Sequence, residues 1–448
     1  MPPSGESPPS RTDEPILTRI DLRGQAGPLA PHLPAPKLTE DEGPLEAVRS
    51  ILAAVRSGGD AALAEITGRL DGVELEDLRV DERDLKAALA GIPADLRRAL
   101  EVARENIERF YRSTLHPDGR YEREGVIVRE VRKPVERAGL YVPGGTAPLA
   151  STVLMTAVPA RVAGVAELAL VTPPGPADRG GLPAAPILAA AAVAGVDEVY
   201  RVGGAQAVAA LAYGTETIRA VDVIAGPGNV YVALAQRLVA GQGVVGVPSA
   251  FAGPSEVAVV ADETTDVTHA AIDLVVQAEH GPNGFSWLVT WSEEVADRVT
   301  AEVARLTAES PRRAEIHSTL DRGGYAVVVD DARAAMEVCN VIAAEHLELM
   351  AADTEALVAM VRNAGAVFVG PWAPASVGDY VAGPSHVLPT ARTARFGSAL
   401  RCDDFCRYIH VVEVDHDGLA ALAPSVEALA TSEGLAAHAE SVRLRVEP

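Results

Sequence analysis

From Val126 onward the chain repeats one pattern: a short apolar run, an alanine-rich stretch, then another apolar run. The runs fall at 126–131, 138–142, 167–171, 198–202, 221–225 and 256–261, separated by stretches such as Ala185–Gly195 and Ala205–Tyr213. Strands alternating with helices imply right-handed βαβ units around a parallel sheet, because only a crossover helix returns the chain to start a parallel neighbour. The alternation resumes with a strand at 286–291, a helix at 293–308 and a strand at 325–330. Helices at 332–350 and 354–364 and a strand at 366–369 follow, so the pattern predicts two α/β blocks. No short-period repeat is visible.

The flanks read differently. Residues 1–15 are rich in Pro, Ser and charge and are expected to be a disordered tail. Between 43 and 110, Leu45, Val48, Ile51, Leu52 and Val55 recur at helix spacing until Gly58-Gly59 breaks the helix. Further helices are expected at 83–91 and 94–111. After Pro389 come a strand-like stretch, Tyr408–Val414, and a helical run, Leu419–Leu429. This tail is too short to fold alone and is expected to pack on the body or on a second subunit.

Composition removes several functions. With 448 residues, 48% hydrophobic and 23% charged, the chain is that of a soluble globular protein. A net charge of −23 argues against nucleic acid and against an anionic membrane surface. The longest apolar candidate, Val153–Val171, is interrupted by Pro159, Arg161 and Glu167, so no bilayer span is expected. The N-terminus has no basic and apolar regions of a secretory signal, and three cysteines are too few for a disulfide framework. The cytoplasm is the expected location. The only lysines are Lys37, Lys86 and Lys133, which excludes a P-loop lysine and a Schiff-base lysine in the C-terminal half.

Several polar groups interrupt the apolar pattern. Gln277 and His280 stand three apart at the end of a helical run, before Gly281-Pro282, so they share a face at a rim. Glu345-His346 follows the apolar run Val341–Ala344; a carboxylate and an imidazole are the standard general bases. On a helix these neighbours point about 100° apart, so they can serve two protons in one pocket without forming a dyad. Asp379, His386 and His438 complete the set. Together these residues read as a mononuclear zinc site with an acid/base pair beside it, since imidazole, carboxylate and amide oxygen suit zinc. Singly, each reads more simply as a polar residue at an element end. Three glycine loops, Tyr141–Gly145, Gly203–Gln206 and Gly226–Asn229, each follow a strand and precede a helix. Open α/β sheets bind ligands there, though tight βα turns need the same residues and none is a dinucleotide fingerprint. Cys402 and Cys406 are read as small core residues.

The motifs together resemble those of the histidinol dehydrogenase family. The strings are Glu136–Gly145 (ERAGLYVPGG), Gly203–Gly214, Ile224–Val232, Ala252–Glu256 (AGPSE), Gln277–His280 (QAEH), Glu345–Leu347, Ser385–Thr390 (SHVLPT) and Glu433–Leu435 followed by His438. They stand in the family's order across roughly residues 20 to 445. The resemblance implies a zinc- and NAD-dependent, four-electron oxidation of histidinol to histidine through a bound aldehyde. Carried over, zinc falls on Gln277, His280, Asp379 and, from a partner subunit, His438. Substrate contacts fall on Ser255, His386 and Glu433 as well as on those ligands and the acid/base pair, Glu345 and His346. NAD contacts fall on Tyr141, Gln206 and Asn229.

The fold implied is two Rossmann-like parallel-sheet α/β domains, with an N-terminal arm at 16–45 and a tail at 390–448 exchanged in a homodimer. Residues 46–140 and 253–389 are expected to form the first domain, with the zinc, substrate and acid/base residues. Residues 141–252 form the second, on the NAD side. The chain departs from the family's pattern at Gly246–Phe251, at Thr390–Thr393, where a glycine is usual, and after Phe396. The alternatives are the same machinery acting on another small polar alcohol, such as a sulfonated diol, and a zinc hydrolase without a dinucleotide. The glycine loops speak against the hydrolase.

Overall fold

The computed structural model describes residues 15–35, 42–144, 148–196, 198–248, 253, 255–281 and 284–446. The expected tail at 1–15 lies outside them except for its last residue. The chain opens with β1 (Thr18–Asp21) and three helices, α1 (Glu42–Asp71), α2 (Glu82–Gly91) and α3 (Ala94–Thr114), then a hairpin, β2 (Gly119–Arg123) and β3 (Val126–Pro134). The first α/β run is β4 (Arg137–Tyr141), α4 (Ala150–Ala163), β5 (Glu167–Thr172), α5 (Ala185–Ala194), β6 (Glu198–Arg201), α6 (Gly204–Tyr213), β7 (Val223–Ala225) and α7 (Val230–Gly241). The second begins with β8 (Glu256–Ala261), α8 (Val267–Ala278), β9 (Phe285–Thr290), α9 (Glu293–Glu309), α10 (Arg313–Gly323) and β10 (Gly324–Val328). It ends with α11 (Ala332–Ile342), β11 (His346–Leu349), α12 (Thr354–Met360), β12 (Ala366–Val369) and α13 (Ala375–Tyr380). The tail is β13 (Cys406–Val414), α14 (His416–Ser432) and α15 (Ala436–Val446).

Two parallel sheets result, in the orders β6-β5-β4-β7 and β1-β10-β9-β8-β11-β12. In each α/β run the strand order switches sides once, between β4 and β7 and between β8 and β11, and β1 adds to the far edge of the larger sheet beside β10. Alternate residues of the inner strands sort onto opposite cores, as the period of two requires. Leu168 and Leu170 join the α2–α5 side, whereas Ala169 and Val171 join the α1, α6 and α7 side. Val257 and Val259 face α8, whereas Ala258 and Val260 face α11. Each fully buried Val or Leu in these layers contributes roughly 1.5–3 kcal/mol. Among the described residues no helix is long and apolar enough to cross a membrane.

Two expectations are corrected. The run at 126–131 does not begin the parallel alternation; β3 pairs antiparallel with β2 and with β13 of the tail, from Cys406 opposite Pro134 to Val414 opposite Val126. Its charged alternates, Arg129, Glu130 and Arg132, suit a half-exposed sheet rather than a doubly covered one. The helix expected at 332–350 stops at Ile342. Ala343 turns into the left-handed region (φ 49°), and His346 starts β11, inserted between β8 and β12. Alanine propensity favours continuing the helix, but the open slot in the sheet outweighs it. The apolar faces of α1–α3 close both sides of the small β4–β7 sheet, and α3 also meets the segment after α13, with the Asn106 amide donating to the Val381 carbonyl and the Tyr111 hydroxyl accepting from the Ser385 N–H.

Gly58-Gly59 does break α1: Gly59 sits at φ 52°, ψ −138°, and the helix resumes beyond it. The Asp60 N–H there donates to the Glu216 carboxylate at 2.8 Å, and a Cβ on Gly59 would collide with that carboxylate. Gly59→Ala should cost roughly 1–3 kcal/mol, since only glycine occupies this backbone region without strain. A denaturant midpoint equal to wild type would show that the kink has an easy alternative.

Candidate active site

A cavity of about 120 Å³ opens where the loops of the two parallel sheets face each other. Ser151, Thr152 and Pro227 line it from one side; they follow the C-terminal ends of β4 and β7. Ser255, Glu345 and His346 line it from the other, and they stand at the N-terminal ends of β8 and β11. The cavity thus lies between the C-terminal rim of one sheet and the N-terminal rim of the other. The glycine loops stand at strand C-terminal ends, whereas Glu345 and His346 stand at a strand N-terminal end.

Glu345 and His346 are not at a helix end. Glu345 immediately precedes β11, and its Oε2 accepts the Glu256 backbone N–H at 3.0 Å. The Ser255 hydroxyl also bonds it. Burial pushes the Glu345 carboxyl up to about 7, against the pull of the neighbouring His346. His346 is buried, with Nδ1 3.7 Å from Glu345 Oε2 and Nε2 3.4 Å from Asp379 Oδ1. Neither contact reaches hydrogen-bond geometry, so both ring nitrogens remain without a hydrogen-bond partner. Burial works against a charged ring, but the two carboxylates outweigh it and push His346 up to about 9. Burial would raise Asp379 as well; contact with His346 and proximity to His386 and His280 hold it below its usual value.

His386 and His280 each have a defined tautomer. The His386 Nδ1–H donates to the Asp379 carbonyl at 2.8 Å, so its Nε2 accepts from the Thr152 hydroxyl at 3.1 Å. Burial pushes its pKa down, consistent with this neutral form. Asp266 caps the start of α8 by accepting from the Thr268 and His269 N–H groups, and the helix ends just before His280. The His280 Nδ1–H donates to the Val276 carbonyl at 3.1 Å, which leaves Nε2 as the lone-pair nitrogen. Gln277, in the last turn of α8, is buried with its amide nitrogen unpartnered.

The fold therefore brings Ser255, His280, Glu345, His346, Asp379 and His386 into one cavity, with Gln277 buried one turn before His280. Glu433 ends α14 and His438 lies on α15; both are exposed and neither lines the cavity. Among the described residues of this one chain, no three His, Cys, Asp or Glu side chains form a metal cluster. Of the dinucleotide candidates, Tyr141 ends β4 with its hydroxyl accepting the Gly204 N–H at 3.0 Å. Gln206 is buried in α6 with Oε1 unpartnered, and Asn229 caps α7 by accepting the Tyr231 and Val232 N–H groups. Tyr141 and Asn229 flank the β4/β7 reversal, where such sheets accept nucleotides.

Two residues escaped the sequence reading. Thr152 fixes His386 and carries no signal of its own. Glu256 is buried behind Glu345, with Oε1 accepting the Ala391 N–H at 3.0 Å. Burial and the Glu345 charge push it up to about 8. A carboxylate opening the otherwise apolar run Glu256–Ala261 was the available clue. Ala391 and Arg392, where a glycine is usual in the resembled pattern, both sit in the left-handed region, with φ of 55° and 64°. Arg392 is held there by donating to the Leu33 and Pro34 carbonyls.

Two parallel α/β sheets facing each other across a buried carboxylate–imidazole cluster define a class of α/β proteins equipped for proton transfer. The chain belongs to the histidinol dehydrogenase family, whose pattern it matches over residues 36–446. It is 48% identical to a histidinol dehydrogenase of Synechococcus sp. over 89% of this chain and 91% of that one. It is 46% identical to one of Mycobacterium bovis over 97% and 99%. The crystal structure of histidinol dehydrogenase from Elizabethkingia anophelis superposes with a TM-score of 0.91 at 33% identity, covering 97% of this chain and 99% of that one. The chain is accordingly an oxidoreductase.

The buried carboxyls make stability depend on pH. Folded Glu256 keeps its proton up to about 8, whereas the unfolded side chain ionises near 4.5. Its contribution is fully present below the lower value and is lost as pH rises through the upper one. Glu256→Gln keeps the acceptor for Ala391 and removes the titration, so denaturant midpoints should decline less steeply across this window. A slope identical to wild type would assign the decline to other groups.

Proposed function

We propose that this chain oxidises histidinol to histidine through the aldehyde, using two NAD in turn and one zinc ion per subunit. The observation that supports this most is the convergence of Glu345, His346, Asp379 and His386 in one cavity of a member of this family. The donor set fits a zinc ion: an ionised Asp379, a His280 with its lone pair on Nε2, and a buried Gln277, whose amide oxygen is the end that would take the metal. Those three, with His438 of the partner subunit, would hold the ion, and bound there it orients the imidazole and amine of the substrate. NAD would lie along Tyr141, Gln206 and Asn229 and accept the hydride.

The chain's own residues move the protons. His346 takes the alcohol proton as hydride leaves carbon, which gives the aldehyde. Glu345 takes a proton from water as its oxygen adds to the aldehyde carbon, and the protonated His346 returns its proton to the aldehyde oxygen, which gives the hydrate and a neutral His346. His346 then removes a hydrate proton during the second hydride transfer, which gives the carboxylate. One water is consumed and two NADH are formed per alcohol. His386, fixed by Thr152 and Asp379, contacts the substrate with Ser255 and the partner's Glu433. Retaining the aldehyde in the cavity prevents loss of a reactive intermediate.

The direct experiment follows reduced nicotinamide as histidinol is added to metal-free and zinc-loaded protein. Two NADH per histidinol with zinc, and none without, are expected; turnover only with another polar alcohol would reassign the substrate. In the same assay Glu345→Gln should slow aldehyde oxidation by about 100-fold or more, typical of losing a general base, while alcohol oxidation falls far less. An unchanged aldehyde rate would remove Glu345 from this role.

In this reading the active unit is a homodimer that exchanges tails. Leu422, Leu429 and Leu444 of the tail are 43%, 65% and 69% exposed, an apolar surface suited to cover by a second copy. Mixing His280→Ala with His438→Ala subunits should restore activity, because a mixed dimer has one site with both defects and one with neither. Inactive mixtures, with wild-type subunits surviving the same exchange, would place His438 in its own chain's site.

A further inference from the structure

Beneath the cavity lies a second pair of buried carboxyls that the proton chemistry above does not use. Glu348 is two residues after His346 on β11, so both side chains leave the same face of the sheet. That face is the one covered by α8: Glu348 stands opposite Val259, which packs with α8 residues Leu274 and Val275. Glu348 is 1% exposed, and its Oε1 accepts the Ala375 N–H at 3.0 Å. Ala375 is the first residue of α13, the helix that carries Asp379 one turn later. The other oxygen, Oε2, is buried with no conventional hydrogen-bond partner. The Asp273 side chain lies against the Glu348 carboxyl. Asp273 is itself buried on α8, one turn before Gln277.

We propose that Glu348 is a positioning residue: its carboxyl, bonded to the Ala375 N–H and lying against Asp273, ties β11 to α13 and to α8, setting His346, Asp379 and Gln277 in register. Two buried carboxyls in contact attract only if one carries the proton, which then forms an O–H···O bond to the other. Burial and the neighbouring Asp273 charge push Glu348 up to about 9, whereas burial alone raises Asp273, against the hydrogen bond from Glu348. The three elements so joined supply the acid/base imidazole and two of the three metal donors of this chain, so the inference rests on that assignment of the donors. Groups that orient metal donors typically change affinity by about 10–100-fold when removed.

The test titrates zinc into metal-free protein and follows hydrogen exchange of the 375–380 amides. Glu348→Met removes both bonds at similar volume; it should weaken zinc by about 10–100-fold and speed exchange in α13. Glu348→Gln accepts from Ala375 and donates to Asp273, so it should restore both toward wild type. If Glu348→Met fails to fold, Ala375→Pro replaces it. Proline suits a first helical position, Pro374 before it already has extended angles (φ −68°, ψ 154°), and the substitution deletes only the N–H that Glu348 accepts. Ala375→Pro should likewise weaken zinc. Unchanged zinc affinity and exchange in either variant would overturn the clamp. If wild type binds no zinc, the metal assignment fails, and the exchange data alone decide whether Glu348 holds α13.

Discussion

The bond from the Glu256 backbone N–H to the Glu345 carboxylate depends on one structural fact, the pairing of β11 beside β8. A strand's first N–H groups have no ladder partner unless a neighbour supplies one. A side chain beside the adjacent strand can take that place. Glu345 does so, which fixes the carboxylate at the rim and leaves His346, the next residue, directed from the sheet toward Asp379. Ser255, Glu256, Glu345 and His346 are therefore one local arrangement rather than four separate placements.

Charge then shapes the site. Glu256, Glu345, Glu348 and Asp273 are all buried within reach of this rim, and burial penalises the ionised form of each. Such a cluster is tolerated only with protons shared among its members or with cations nearby. The His346 imidazole, held up by its two carboxylate neighbours, answers part of that need beside Glu345 and Asp379. A divalent ion and a cationic, imidazole-bearing substrate would answer the rest, which is why the electrostatics and the proposed chemistry point the same way.

Much of the architecture was legible in the linear pattern. Strands buried on both faces are continuous apolar runs, so β8 falls at the expected residues and β4, β5, β6 and β9 within a residue or two; the half-exposed edge strand β12, also apolar, falls at its expected residues too. Gly58-Gly59 broke α1 because only glycine takes the backbone angles that Gly59 shows. The reading failed where local preference and tertiary context disagree. Ala343-Ala344 favours helix, yet Ala343 adopts a left-handed turn because β11 has a slot to fill. The amphipathic β3 looked like another parallel strand, although its half-exposed face finds the tail instead.

The sequence by itself determined the strand–helix alternation, the positions of the loops that bear glycine, and the list of chemically capable residues. Those properties are local: they follow from periodicity, backbone freedom and side-chain type within a short window. Which residues meet was decided only by the tertiary structure. Ser255, His280, Glu345, Asp379 and His386 are spread over more than a hundred residues and share a cavity because two sheets face each other with opposite rims. Glu256 and Glu348 gained their perturbed character in the same way, since desolvation and a neighbouring charge are properties of an enclosed place and not of a position in the chain.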